Sequence, residues 1–361
     1  MMKDKDQKLQ ALKYCIAKRW FPQLEVDVLL TQSLGRRAAT VTDLDVYASI
    51  PDDFVGYRTV VFDCKTLSRE SPVNRCLWLR GVLDRMSADQ GFCILKKNTM
   101  EVDHRMEATR LSVILLAEDE FETYAKATSF RYGESPAHSA TEIAWEKYFA
   151  IKERNPNLQP FLTFLRSSYW MQTEPGETCR KLVGSMHEAS SELDPMKAEH
   201  VAVAIEYSVL FARTLAQIVS FIFRAHLHPR QQHELEEAVR MLLYGGRDAY
   251  EHRNELYRLL KVRTGSVANV SLALPAWDSF VKLVRQLLDA PNEIAKAPLI
   301  LRELAFSELV GSSDLHFCKL LCQESPQAAR FSILIIDYLF KAVRLPPQFL
   351  ESAQSKLLAQ L

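Results

Sequence analysis

The stretch ATVTDLDVYASIPDDFVGYRTVVFDCK, residues 39–65, decides how this chain is read. Two runs rich in Val, Thr, Tyr and Phe flank Pro51, Asp52, Asp53 and Gly56, the pattern of two strands joined by a turn. Strand side chains alternate between faces, so Asp43, Asp45 and Tyr47 share one side of the first strand, about 40–49. Leu44, Val46 and Ala48 take the other side. In the second strand, 57–65, Val61, Asp63 and Lys65 lie together, while Val60, Phe62 and Cys64 point the opposite way. Two carboxylates and an ammonium are thereby predicted to meet at one edge of a sheet with an apolar back. Such a set suits a divalent cation and a phosphodiester.

Upstream, Leu9, Leu12, Ile16 and Trp20 recur at helical spacing, predicting a helix over 7–20 that Pro22 stops. EVDVLLT, 25–31, reads as a strand and 33–37 as a turn containing Gly35. Downstream, SPVNRCLWLRGVLDRMSAD, 71–89, reads as a helix ended at Gly91. A short strand at 92–95, a helix at 102–111, a strand at 113–116 and a helix from 119 follow. Helix, three strands, helix, strand, helix, strand is the order of a mixed sheet covered on both faces. RYGESPAHSA, 131–140, is rich in Gly, Pro and Ser and reads as a linker. Helical periodicity dominates beyond it. The expected organisation is an α+β domain over 1–130, a linker over 131–140 and an all-α domain over 141–361, with no nameable repeat.

With those residues in view, the first part of the chain, about 5–120, resembles the PD-(D/E)XK phosphodiesterase superfamily, the restriction-endonuclease-like nucleases. The resemblance rests on Asp43-Leu44-Asp45-Val46 in one strand and Val60-Val61-Phe62-Asp63-Cys64-Lys65-Thr66 in the next, followed by a helix and a strand. It implies a restriction-endonuclease-like mixed sheet flanked by helices and a nuclease dependent on Mg2+ or Mn2+, with DNA preferred over RNA as substrate. Asp45 and Asp63 would be metal ligands together with the Cys64 backbone carbonyl, and Lys65 would act on the attacking water or the scissile phosphate. Asp43 and Glu25 are secondary acids, with Asp27 beside Glu25 on its strand. Arg69, Asn74, Arg75 and Arg80 in and before the following helix, and Lys96 and Lys97 after the next strand, are candidate substrate contacts. For each of these six, a solvated surface position is the simpler reading. Fold analogy points to bacterial defence, including antiviral defence, or to DNA repair. The rival reading is an inactive nuclease-fold scaffold that binds a protein partner, or a second copy of itself, through 141–361.

Composition narrows the classes. Apolar residues make up 48% and charged residues 25%, the values of an ordinary soluble protein, and the net charge of zero announces no polyanion binder by itself. The seven cysteines show no Cys-x-x-Cys pair or zinc spacing and fall in apolar patterns, which predicts packed free thiols in a reducing cytoplasm. The most apolar run, YSVLFARTLAQIVSFIF at 207–223, carries Arg213 and Gln217 near its middle, predicting a buried helix and no membrane span. The histidines are scattered without a Ser or Cys partner. Gly245-Gly246 reads as a helix end, and no phosphate-binding glycine motif occurs.

Overall fold

The computed structural model describes residues 3–30, 40–65, 71–96, 100–134, 137–263 and 271–361. Helix α1 (Lys5–Ala17) buries Ala11, Leu12, Tyr14, Cys15 and Ile16. Pro22 does not end it. The chain turns at Arg19, in left-handed backbone with φ 60°, and Pro22 lies inside strand β1 (Phe21–Leu29). β1 is at the sheet edge and pairs with one neighbour, so a residue without an N–H is tolerated there.

β2 (Thr40–Pro51) and β3 (Tyr57–Lys65) pair antiparallel from Pro51↔Tyr57 to Val46↔Phe62. Two helical crossovers then extend the sheet in parallel: α2 (Pro72–Met86) leads to β4 (Gln90–Leu95), and α3 (Val102–Arg110) leads to β5 (Val113–Ala117). The order is β1-β2-β3-β4-β5, antiparallel through the first three strands and parallel through the last three. Parallel neighbours require such crossovers, and these place helices on the sheet. Tyr14 of α1 meets Phe62 and Phe92 edge-on at 6.5 and 6.1 Å, beside Phe121 of α4 (Glu118–Thr128). On α2, the Cys76 thiol hydrogen-bonds that of Cys93. Phe92 and Cys93 are successive strand residues and face opposite ways, so α1 and α2 cover opposite faces. Gly91 does not terminate α2; Ser87, with φ 50°, does. Gly91 belongs to β4, where a Cβ would stand 2.8 Å from Leu79 Cδ2.

The chain forms two compact units. The sheet unit comprises Met1–Asp52, Tyr57–Met171 and Leu309–Phe317; the helical unit comprises Asp53–Gly56, Gln172–Glu308 and Cys318–Leu361. The division therefore falls after Met171 and not at 131–140. In the expected linker Ala137, Ser139 and Ala140 are buried, and the Trp145 indole donates to the Ser139 carbonyl at 2.8 Å. Helices α5 (Glu142–Arg154) and α6 (Gln159–Arg166) join the sheet unit, and the turn after α6 seals them to β1. Trp170 stacks on Phe21 at 6.4 Å and meets Tyr47 edge-on at 5.0 Å, and Ser167 Oγ donates to the Asp27 carboxylate at 2.7 Å.

In the helical unit, α7 (Pro175–Ala189), α9 (Gln232–Tyr244), α10 (Arg247–Arg263), α11 (Trp277–Leu288), α14 (Pro326–Ala342) and α15 (Pro347–Leu358) accompany the long α8 (Ala198–His226). α8 is the one helix among the described residues long and apolar enough to cross a membrane, and 94% of its most apolar window is buried inside the structure. It also carries Glu206, whose Oε1 lies 2.6 Å from Arg302 Nε on α12 (Ala297–Val310), both side chains nearly inaccessible. α7 and α9 touch at Gly176, where a Cβ would fall 2.1 Å from the Leu242 carbonyl oxygen. Gly245, φ 84°, ends α9 as expected. α13 (His316–Glu324) carries Cys318 and Cys322, and all seven thiols are free and buried.

Candidate active site

Beyond the pair Val46↔Phe62 the register of β2 and β3 stops, and the Asp45 carboxylate fills the gap between them. Its Oδ2 accepts the Cys64 N–H at 2.7 Å, taking a donor that a neighbouring strand would otherwise use. Lys65 Nζ lies 3.5 Å from the same oxygen and 3.9 Å from Asp63 Oδ1. The three residues singled out in the sequence are therefore brought together, with Asp45 and Asp63 only 2% and 3% exposed. The Cys64 side chain is fully buried, and burial together with Asp45 and Asp63 pushes its thiol well above the ordinary range. It is a packed spacer without thiol chemistry at neutral pH.

Two further side chains join the cluster on the Asp45 side. Lys8, 2% exposed, reaches from α1 to hydrogen-bond Glu25 and places Nζ 2.9 Å from Asp45 Oδ1. Sequence reading missed it, although Lys8, Leu12 and Ile16 lie four apart on one helical stripe, a lysine where an apolar residue belongs. Glu25 sits between the pairs Leu24↔Val46 and Val26↔Leu44, opposite Asp45. Its φ of 53° is left-handed, a conformation that costs a residue with a side chain about 1–3 kcal/mol. The Lys8 contact and a 3.3 Å hydrogen bond from Arg166 Nε to the Glu25 carbonyl hold it there.

Arg75, a candidate substrate contact whose simpler reading is a solvated surface position, instead forks onto Asp63 with Nε–Oδ2 at 2.6 Å and Nη2–Oδ1 at 2.5 Å. Its guanidinium also lies 3.8 Å from the Trp78 ring centroid. Glu25, Asp45 and Asp63 are thus matched one for one by Lys8, Lys65 and Arg75. Burial raises the Asp45 pKa against the pull of Lys8, Lys65 and the Cys64 N–H. For Lys65, burial works against the charge, yet Asp45 and Asp63 outweigh it and keep its pKa above the usual value. Lys8 behaves likewise under Asp45 and Glu25.

The remaining candidates do not converge. Asp43 is exposed and lies across the ladder from Asp27. Arg80 pairs with Asp84 one turn along its own helix, and Asn74 is exposed. Lys96 is exposed at the site's rim, where its backbone N–H donates to the Lys65 carbonyl at 3.0 Å. Arg69 and Lys97 lie outside the described residues.

Asp45, Asp63 and the Cys64 carbonyl are the hard oxygen donors that Mg2+ or Mn2+ takes, and Mg2+ needs only one or two carboxylates because it keeps several waters. The donor chemistry fits. The competing groups are the cations: Arg75 engages both oxygens of Asp63, and among the described residues no group of three or more His, Cys, Asp or Glu is gathered as a metal cage. Comparison of the chain with protein-family models, curated proteins and solved structures found no match.

Proposed function

We propose that the sheet unit is restriction-endonuclease-like and that Asp45, Asp63 and Lys65 form the site of a metal-dependent nuclease, with DNA its preferred substrate. The observation that carries this reading is the meeting of one lysine with two buried carboxylates, at 3.5 and 3.9 Å, where β2 and β3 separate. Asp45, Asp63 and the Cys64 carbonyl would hold Mg2+ or Mn2+. When bound, such an ion lowers the pKa of a coordinated water and stabilises charge on the phosphate. Lys65, kept protonated by its two carboxylates, is unsuited to removing a proton from water. Its role is to neutralise charge that develops on the phosphate oxygens in the transition state. Arg75 is matched to the same task, since a guanidinium pairs bidentately with carboxylate or phosphate. In this reading it exchanges Asp63 for the substrate's phosphate.

The test is incubation of the full chain with plasmid, single-stranded DNA and RNA, with Mg2+, with Mn2+ and with chelator. Metal-dependent cleavage lost in Asp63→Ala and Lys65→Ala is expected. Cleavage surviving both changes overturns the assignment. A second reading is favoured by the one-for-one charge match: a scaffold whose former site is closed by its own cations. Absence of cleavage, with no rise in melting temperature on adding Mn2+, would select it.

A further inference from the structure

We infer that Lys8 stands in the place of a second metal ion, so that this is a one-ion site. The inference rests on Asp45 and Asp63 being the metal ligands. In two-metal phosphodiesterases the ions sit about 3.5–4 Å apart and share a carboxylate between them. Asp45 is placed for that sharing role. Its Oδ2 faces Lys65 and the Cys64 N–H on the Asp63 side, whereas its Oδ1 faces Lys8 on the Glu25 side. The position between Asp45 and Glu25 is already filled by an ammonium, 2.9 Å from Asp45 Oδ1 and hydrogen-bonded to Glu25.

Charge and mobility point the same way. Glu25, Asp45 and Asp63 with Lys8 and Lys65 carry one net negative charge once Arg75 leaves Asp63. One dication reverses that to a single positive charge. A second would leave three positive charges on a cluster whose Lys8, Asp45 and Asp63 are almost wholly withdrawn from water, where like charges repel strongly. Lys8 cannot step aside as Arg75 can. It projects from a helix whose Ala11, Leu12, Tyr14 and Cys15 are locked in the core, and it is itself 2% exposed. The Arg75 side chain is 13% exposed. Lys8 is therefore a positioning residue: it fixes Asp45 from behind and leaves one oxygen of that carboxylate for the ion.

The experiment counts Mn2+ bound per full chain, by calorimetry and by the electron paramagnetic resonance signal of free Mn2+, with no substrate present. The wild-type chain is expected to bind one ion, and Lys8→Arg, which keeps the charge, also one. Lys8→Met, checked by circular dichroism for native fold, is expected to bind two. Glu25→Gln supplies an independent arm that does not depend on folding without Lys8. If Lys8 holds that position, the Kd for Mn2+ stays within about threefold of wild type. If an ion sits between Glu25 and Asp45 instead, affinity falls by about tenfold or more, the usual loss on removing a partner of a metal site. Two ions on the wild-type chain, a single ion on folded Lys8→Met, or the tenfold loss in Glu25→Gln overturns the inference and leaves the nuclease reading standing. No bound ion on the wild-type chain refutes the metal site itself.

Discussion

Replacing Arg75 by Gln should tighten metal binding while weakening the metal-free fold. The guanidinium forks onto Asp63 at 2.6 and 2.5 Å, with the two side chains 13% and 4% exposed. Hydrogen bonds to charged groups contribute about 1.5–3 kcal/mol net. An ion that takes Asp63 from Arg75 binds against that free energy, so removing the guanidinium returns it to the ion. At about 1.4 kcal/mol per factor of ten, the Kd for Mn2+ should fall about 10- to 150-fold. The metal-free protein moves the other way, because among the described residues Asp63 keeps only the more distant Lys65, at 3.9 Å, as a counter-charge. Leaving a buried polar group short of its partner costs about 1–3 kcal/mol. Each kcal/mol lowers the melting temperature of a domain this size by about 2–4 °C. Calorimetric Mn2+ titration, with thermal melts in chelator and in saturating Mn2+, reads both halves. A variant that binds Mn2+ no more tightly than wild type and melts unchanged without metal would refute the view that Arg75 competes for Asp63.

Three other outcomes are expected. Arg302→Met strands Glu206 as a buried carboxylate without its cation and should cost about 3–5 kcal/mol in urea unfolding. Burial, working against the pull of Arg302, raises Glu206 to about 7, above its unfolded value near 4.5. The native state thus binds this proton more readily than the unfolded chain does. The group's contribution is therefore full below about pH 4.5 and lost as pH rises through about 7. Measured against Glu206→Gln, wild type should lose relative stability between pH 5 and pH 7.5, and a constant difference would contradict this. In α7, Gly176→Ala forces a Cβ against the Leu242 carbonyl and should destabilise by about 1–3 kcal/mol or more. Gly184→Ala on the same helix meets nothing within 4 Å and should stabilise by up to about 1 kcal/mol, so equal effects at the two positions would refute the close approach.

Short-range patterns made much of the sheet legible. Strand alternation and the turn at 51–56 located β2 and β3, and with them Asp45, Asp63 and Lys65. What stayed hidden depends on partners distant in sequence. Helical spacing identifies helices over about 141–153 and 158–171, but the same spacing fits either core, and contacts of Trp170 with Phe21 and Tyr47 decide that α5 and α6 belong to the sheet. Asp43 and Glu25 looked equivalent as acids. The left-handed backbone at Glu25, whose side chain bonds Lys8, leaves no mark in the residue type. Arg75 was legible as a cation beside the site, and its choice of Asp63 follows from the packing of α2 on β4, the strand whose Cys93 pairs with Asp63. Lys8 alone had a local signal, a charge on an apolar stripe.

The sheltered sulfurs have a practical consequence. Cys15, Cys64, Cys76 and Cys93 lie in the sheet unit, and Cys179, Cys318 and Cys322 in the helical one, none joined in a disulfide. An alkylating reagent reaches such a thiol only when the packing around it opens, so its labelling rate follows the free energy of that local opening. Pulsed alkylation read by mass spectrometry would time the breathing of each unit separately in the unmodified chain, four clocks in one and three in the other.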